Sequence, residues 1–398
     1  MDAFIADWLN LLLRWLHFIT GTAWIGASFY FIWLDNHLRA AQSPRAGEDL
    51  AGEVWAVHGG GFYRSLKYRV VPPALPDPLH WFKWEAYTTW LSGMFLLALV
   101  YWYGASIYLV DPAVVELSPA LAILLSAAFI AGGWFAYDLL CRSALGHRER
   151  ALSMLLLLLV TLLAFGLCQL FSGRGAYLHF GAVLGTIMVG NVYFVIIPGQ
   201  RRMVAAAARG EMPDPAPGIR AKQRSVHNTY FTLPVLFTMV SNHFPLTYAH
   251  ELNWLVLVAI AVAGALIRVY FVARHSGRAS PLPLVVAALL LLAAVATVAP
   301  RAGLASAAAS PQFVAVRTVI GERCNSCHSA SPTHPAFPAP PAGLVLDSDA
   351  AILAEAARIH QQTVVTRVMP IGNLTNMTAT ERELIDRWYR AGARGPAP

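Results

Sequence analysis

The chain has 398 residues, 57% of them hydrophobic and 13% charged, with a formal net charge of +7. So apolar a composition excludes an ordinary soluble domain and points to an integral membrane protein. The positive balance does not make a nucleic-acid surface, because its Lys and Arg residues fall in short clusters between apolar runs, as membrane topology signals do.

The N-terminus, MDAFIADWLN, is acidic and lacks the basic segment of a secretory signal, so the run that follows reads as a retained first helix. With roughly 20 apolar residues per crossing, the sequence predicts eight spans, over about 9–34, 84–104, 118–140, 151–172, 176–198, 225–245, 252–273 and 281–300. The sixth is the weakest, interrupted by Pro234 and Pro245. The twelve Trp and fourteen Tyr suit interfacial belts as well as core packing. Basic residues gather in the odd-numbered connections: Arg39, Arg45, Arg64, Lys67 and Arg69, then Arg142, Arg148 and Arg150, then Arg201, Arg202, Arg209, Arg220, Lys222 and Arg224, and lastly Arg274 and Arg278. The even connections carry little beyond Arg174. This asymmetry puts the odd connections in the cytoplasm and both termini outside.

A faint echo links GTAWIGASFYF at 21–31 to GTIMVGNVYFV at 185–195. A parallel four-plus-four repeat and chance small-residue helix packing explain it equally well. Cys141 and Cys168 lie singly at or within apolar runs and read as packing residues.

Residues 1–300 thus form a membrane domain, 301–311 a small-residue linker, and 312–398 a separate tail. The tail is expected to be a small all-α domain, closed by a helix whose Thr378 and Glu381 are spaced as a capping box. Its Cys324-Asn-Ser-Cys327-His328 meets the requirement for covalent haem c: two thiols one helical turn apart, followed by an imidazole for the iron. A zinc knuckle would want a second Cys or His pair, whereas only His334 follows. A redox dithiol would want a βαβ setting. The sixth iron ligand is expected from Met369, which precedes a stiffening proline, with Met377 as a packing residue. Few large aliphatics and fewer than 90 residues make such a domain dependent on its cofactor. Haem c is attached outside the cytoplasm, in agreement with the charge asymmetry.

Ionisable residues at membrane depth are functional candidates. His17, His179 and His243 fall in the outer half of their spans. Two of them could ligate a haem b, or all three could be interfacial or hydrogen-bonded. On the cytoplasmic side, the first connection gathers His58, three glycines, Arg64, Lys67, His80, Lys83 and Glu85, and the sixth span begins with Arg224, His227 and Asn228. Topology explains most of the basic residues, while the aromatic and glycine-rich setting suits an anionic, aromatic small molecule.

Taken together, GEVWAVHGGGF, LHWFKWEAYTTWLSG, IPGQRRMV, SVHNTYFTLPVLFTMVSNHFP, CNSCHSASPTHPAFPAPPAG and RVMPIGNLTNMT resemble the membrane-bound bacterial urate hydroxylases of the PuuD type, in which an eight-span urate oxidase domain is fused to a C-terminal class I cytochrome c. The resemblance runs over about residues 8–392. It implies oxidation of urate by water to 5-hydroxyisourate without hydrogen peroxide. Two electrons would leave through haem c to a soluble periplasmic cytochrome c or another respiratory-chain acceptor. It also implies a place in the bacterial inner membrane with the cytochrome domain periplasmic, and Cys324, Cys327, His328 and Met369 as the haem ligands. It assigns no catalytic residue in the membrane domain. On residue chemistry, His58, His80, Lys83 and Glu85 form the catalytic set, with His58, His80 or Glu85 removing protons. Arg64, Lys67, His227 and Asn228 form the binding set, and Lys83 could help Arg64 and Lys67 hold the urate anion. A cytoplasmic pocket would put most of a ~30 Å core between urate and haem c and so favour a haem b relay. Competing readings are a membrane cytochrome serving a separate dehydrogenase and a haem-regulated transporter.

Overall fold

The computed structural model describes residues 3–42, 48–275, 277, 280–299, 313–337 and 339–395. Each of the eight apolar runs is helical: α1 (Ala3–Asn36), α2 (Trp84–Leu97), α4 (Pro119–Arg142), α5 (Glu149–Leu170), α6 (Gly173–Gly190), α8 (Ala216–Val240), α10 (Asn253–His275) and α11 (Leu282–Val298). The short α3 (Ala105–Tyr108) follows α2, α7 (Ile197–Ala208) prolongs α6, and α9 (Pro245–Tyr248) follows α8. Among the described residues, four helices are long and apolar enough to cross a membrane: Pro119–Arg142, Glu149–Leu170, Gly173–Ala208 and Asn253–His275. Large apolar side chains such as Trp15, Leu158 and Leu292 stay exposed on the outside.

Local signals set the helix starts. Ser118 accepts from the amide of Leu121 ahead of Pro119, and Ser172 accepts from Gly175, so both helices begin on a side-chain cap. Central in the packing is α6, with twelve of its eighteen residues buried, so polar groups on it face protein rather than lipid. Around it lie Tyr137, Leu167, Phe171 and Leu257, all wholly buried like its own Tyr177 and Phe180. Between α6 and α7 the chain widens into a π-helical turn over Asn191–Ile196, a departure from α geometry that is frequent at functional sites.

The expectation of an all-α chain needs one correction. Leu50–His58 (β1) and Gly61–Tyr68 (β2) pair antiparallel as a hairpin. The cause is in the three glycines: Gly59 and Gly60 both have positive φ, +58° and +81°, the two-residue turn whose twist suits adjoining strands.

The tail contains α12 (Phe313–Arg323), α13 (Asp349–Ala354), α14 (Ala356–His360) and α15 (Ala379–Arg390). Its core joins Val316, Ile320, Ile359, Met377, Ile385 and Trp388, and the Thr378/Glu381 capping box is formed. The segment after Met369 rests on α3 of the helical bundle. Gly372 lies so close to α3 that an added Cβ would come within 2.8 Å of the Ile107 carbonyl. Nearby, Val368 packs against the membrane core and Arg367 approaches Glu251 at 3.7 Å.

Candidate functional site

A cavity of about 670 Å³ opens between α1, the 79–82 segment, the π turn with α7, and α8. That volume lies within the range of small-molecule sites. Its aromatic walls are Trp24, Phe31, Trp81 and Phe82, and its polar groups include Ser28, His80, Gln200, Ser225, Asn228 and Thr232. His80 stands exposed at the mouth, edge-on to Phe82 with ring centroids 4.6 Å apart, and Phe82 is edge-on to Phe31 at 4.8 Å. Planar surfaces with a few hydrogen-bonding groups suit a flat, polar heterocycle.

Of the residues expected to serve a substrate, the structure brings His80 and Asn228 to this cavity and leaves others apart. His58 is exposed at the hairpin tip. The Arg64 Nε bonds Glu53 at 2.8 Å, and this guanidinium holds the Glu53 carboxyl below the usual carboxylate range. Lys67 pairs with Asp35 at 2.6 Å, which ties the hairpin to the cavity rim because Asp35 is a wall residue. Both cations therefore already have carboxylate partners and fasten the hairpin. Lys83 lies over the Trp84 ring at 5.4 Å. Glu85, in the first turn of α2, has a buried Oε2 without a hydrogen-bond partner.

Behind Asn228 runs a buried polar network. Arg224 donates to Asp138 at 2.7 Å and to Asn191 at 3.2 Å, and its guanidinium lies 4.9 Å from the Tyr137 ring centroid. Asn191 donates to Asn228 Oδ1 at 2.8 Å and to the Tyr137 hydroxyl at 3.0 Å, and Asn228 donates to the Met188 carbonyl at 3.0 Å. His227 shares a 2.8 Å hydrogen bond with Tyr137 and so faces away from the cavity. The network fixes the orientation of Asn228, a positioning role. Asp138, Tyr137 and Asn191 were not singled out in the sequence. The available signal was polar residues inside apolar runs.

His17, His179 and His243 occupy separate surroundings. His17 Nδ1 lies 2.9 Å from the Thr89 carbonyl and 3.1 Å from Ser92 Oγ. His179 is wholly buried with both ring nitrogens engaged, Nε2 with Ser126 Oγ and Nδ1 with the Gly175 carbonyl, each at 2.7 Å. His243 is exposed in a 3₁₀ turn.

In the tail, Cys324 and Cys327 sit on one turn, with the amides of Cys327 and His328 both donating to the Cys324 carbonyl at 3.1 and 2.8 Å. His328 Nδ1 lies 3.2 Å from the Leu344 carbonyl, an orienting bond that leaves Nε2 for a ligand. Arg323 and Thr375 bond reciprocally, at 2.8 and 2.9 Å, stitching the cysteine turn to the segment after Met369. Arg382 donates to the Met369 carbonyl at 2.8 Å. Burial pushes the Cys324 thiol up to about 12. Among the described residues no three or more His, Cys, Asp or Glu side chains gather as a metal cage. Two thiols, one imidazole and the half-buried thioether of Met369 are a donor set that fits a covalent haem.

Residues 3–299 match the model of the family described as Urate oxidase N-terminal. No curated protein and no solved structure matches the chain.

Proposed function

This chain belongs to the urate oxidase N-terminal family, and from that premise we propose a membrane-bound urate hydroxylase that passes electrons to a haem c on its own tail. The reaction is urate plus water to 5-hydroxyisourate, with two protons and two electrons released. The observation that supports this reading best is the seating of the segment after Met369 on the Ile107–Val110 end of the membrane domain, where Gly372 meets the Ile107 carbonyl. In the proposal all eight apolar helices span the bacterial inner membrane, with both termini and the tail periplasmic and the cavity opening toward the cytoplasm.

Urate lies flat between Trp24, Trp81 and Phe82 in the cavity. Asn228, held by Asn191 and the Met188 carbonyl, bonds its polar edge. His80, at the mouth, takes a proton from the attacking water. Cys324 and Cys327 would hold a haem covalently and His328 and Met369 would ligate its iron; when bound, such a haem would supply a one-electron acceptor. The final acceptor is a periplasmic cytochrome c or another respiratory-chain carrier. Between cavity and tail, Trp90 of α2 bonds Thr186 of α6 at 3.0 Å, and Tyr101, in the turn after α2, lies edge-on to His179 at 5.7 Å. With urate on the cytoplasmic side, a haem b ligated by two of His17, His179 and His243 would supply a relay across the core.

The test is turnover of the purified full-length chain with urate and soluble ferricytochrome c. The proposal expects two cytochromes reduced per urate and no hydrogen peroxide. Reduction only after a separate dehydrogenase is added would support the relay reading instead. Urate uptake into vesicles without spectral change would support the transporter.

A further inference from the structure

We propose that Arg382 is a positioning residue for the sixth haem ligand, fastening the backbone that carries Met369, an inference that rests on the haem c reading. Met369 lies in an irregular segment between the turns Gln361–Val365 and Ile371–Asn373, so no helix or strand ladder fixes it. Both of its main-chain polar groups are nevertheless engaged. Its amide donates to the Gln362 carbonyl at 3.0 Å, and its carbonyl accepts from Arg382 at 2.8 Å.

The same guanidinium also donates to the Thr363 carbonyl and, at 3.3 Å, to the Asn373 side chain. Acceptors from before, at and after Met369 thus converge on one half-buried side chain. The fixed planar fork of a guanidinium suits such a set better than an ammonium does, and bonds from a charged donor are stronger than neutral ones. Because these three acceptors are amide oxygens rather than carboxylates, they leave the positive charge of Arg382 in place beside the ligand segment. A positive charge there opposes the extra charge of ferric iron and so favours the reduced state.

Helix α15 fastens both sides of the haem site. Glu381 accepts from Arg323, the residue before Cys324, at 3.0 and 2.9 Å, and its neighbour Arg382 holds Met369. The capping box at Thr378 and Glu381 fixes where the helix begins and so the register of both contacts. Bonds of this kind, one step removed from the metal, orient the ligands that touch it.

The experiment uses the full-length, haem-loaded protein in detergent, with imidazole competing for the ferric iron of wild type, Arg382→Met, Arg382→Lys and Trp388→Phe. Imidazole must displace the thioether, so its affinity reports how firmly Met369 is held. Arg382→Met should bind imidazole about tenfold or more tightly than wild type, as loss of charge-assisted hydrogen bonds implies. Its far-red sulfur-to-iron absorption band should weaken and its midpoint potential fall. Arg382→Lys, which keeps the charge and loses the fork, should gain about threefold or more. Trp388→Phe shrinks the core and removes the bond to the Arg394 carbonyl on the same helix, away from Met369, and should stay within about twofold. Imidazole affinity unchanged in Arg382→Met, or raised equally in Trp388→Phe, would overturn the inference, the second outcome marking an arginine that merely stabilises the tail. Should Arg382→Met fail to load haem, Arg382→Lys decides, and unchanged affinity there overturns the inference. A wild type without covalent haem, or without the far-red band, defeats the haem c reading itself.

Discussion

Replacing Asp138 with Asn tests the network that orients the cavity wall. Asp138 holds Arg224, whose side chain is 4% exposed, and also the more open Arg142, both at 2.7 Å. Breaking a fully buried pair costs about 3–5 kcal/mol, because the remaining charge is left unpaired. Water reaches Asp138 in part, at 14% exposure, and Asn keeps one acceptor for Arg224. The expected loss is therefore about 2–3 kcal/mol. With an unfolding entropy of about 2.1 cal/mol/K per residue, a chain of 398 residues shifts by about 1 °C per kcal/mol, so the unfolding midpoint should fall by roughly 2–4 °C. Intrinsic fluorescence melts in one detergent measure it. Asp138→Leu combined with Arg224→Leu should lose less than either single change, since no charge is then stranded. An Asp138→Asn midpoint within about one degree of wild type, or a double variant that loses the full sum, would refute the reasoning. KM for urate should rise in Asp138→Asn as Asn228 loses its fixed orientation.

In the proposed chemistry, His80→Gln should lower kcat by about 10² or more, whereas His58→Gln, at the exposed hairpin tip, should stay within about twofold in the same cytochrome reduction assay. Gly372→Val forces a side chain onto the Ile107 carbonyl from a residue at φ +55°, where a Cβ alone costs roughly 1–2 kcal/mol. Hydrogen exchange at Ala105–Val110 should rise and electron transfer from urate to the tail should slow; unchanged exchange would mean the contact does not persist in solution. Burial pushes the Glu381 carboxyl up, but bonds from Thr378 and Arg323 outweigh it and hold the group below its ordinary value. Its stabilisation is thus present at neutral pH and lost as pH falls through the ordinary carboxylate range toward the lower folded value. Exchange protection of the Ala379–Arg390 amides should exceed that of Glu381→Gln at pH 7, with the difference shrinking in acid. A difference that grows in acid would contradict the sign.

What could be read in the sequence was what depends on local spacing. Apolar runs became helices because their backbone groups must bond within the run, and the Thr378/Glu381 cap and the Cys324–His328 turn are set within a few residues. The hairpin was legible in principle, since Val54 and Ala56 alternate with Trp55 and Val57 ahead of Gly59-Gly60, but the cationic residues drew it toward a substrate loop. Which cations are already paired could not be seen, because Arg64 meets Glu53 and Lys67 meets Asp35 only once the strands align across Trp55 and Arg64. Likewise Asp138, Asn191 and Arg224 come from three helices and meet only in the packed bundle.

The central claim is that electrons from urate enter the haem of this same chain. Anaerobic mixing of urate with the oxidised, full-length protein, followed by its visible spectrum, tests it without any added partner. The account predicts conversion to the reduced haem c spectrum, with two haems reduced per urate consumed and 5-hydroxyisourate formed. An oxidised spectrum unchanged by urate, in protein that dithionite reduces fully, would contradict it.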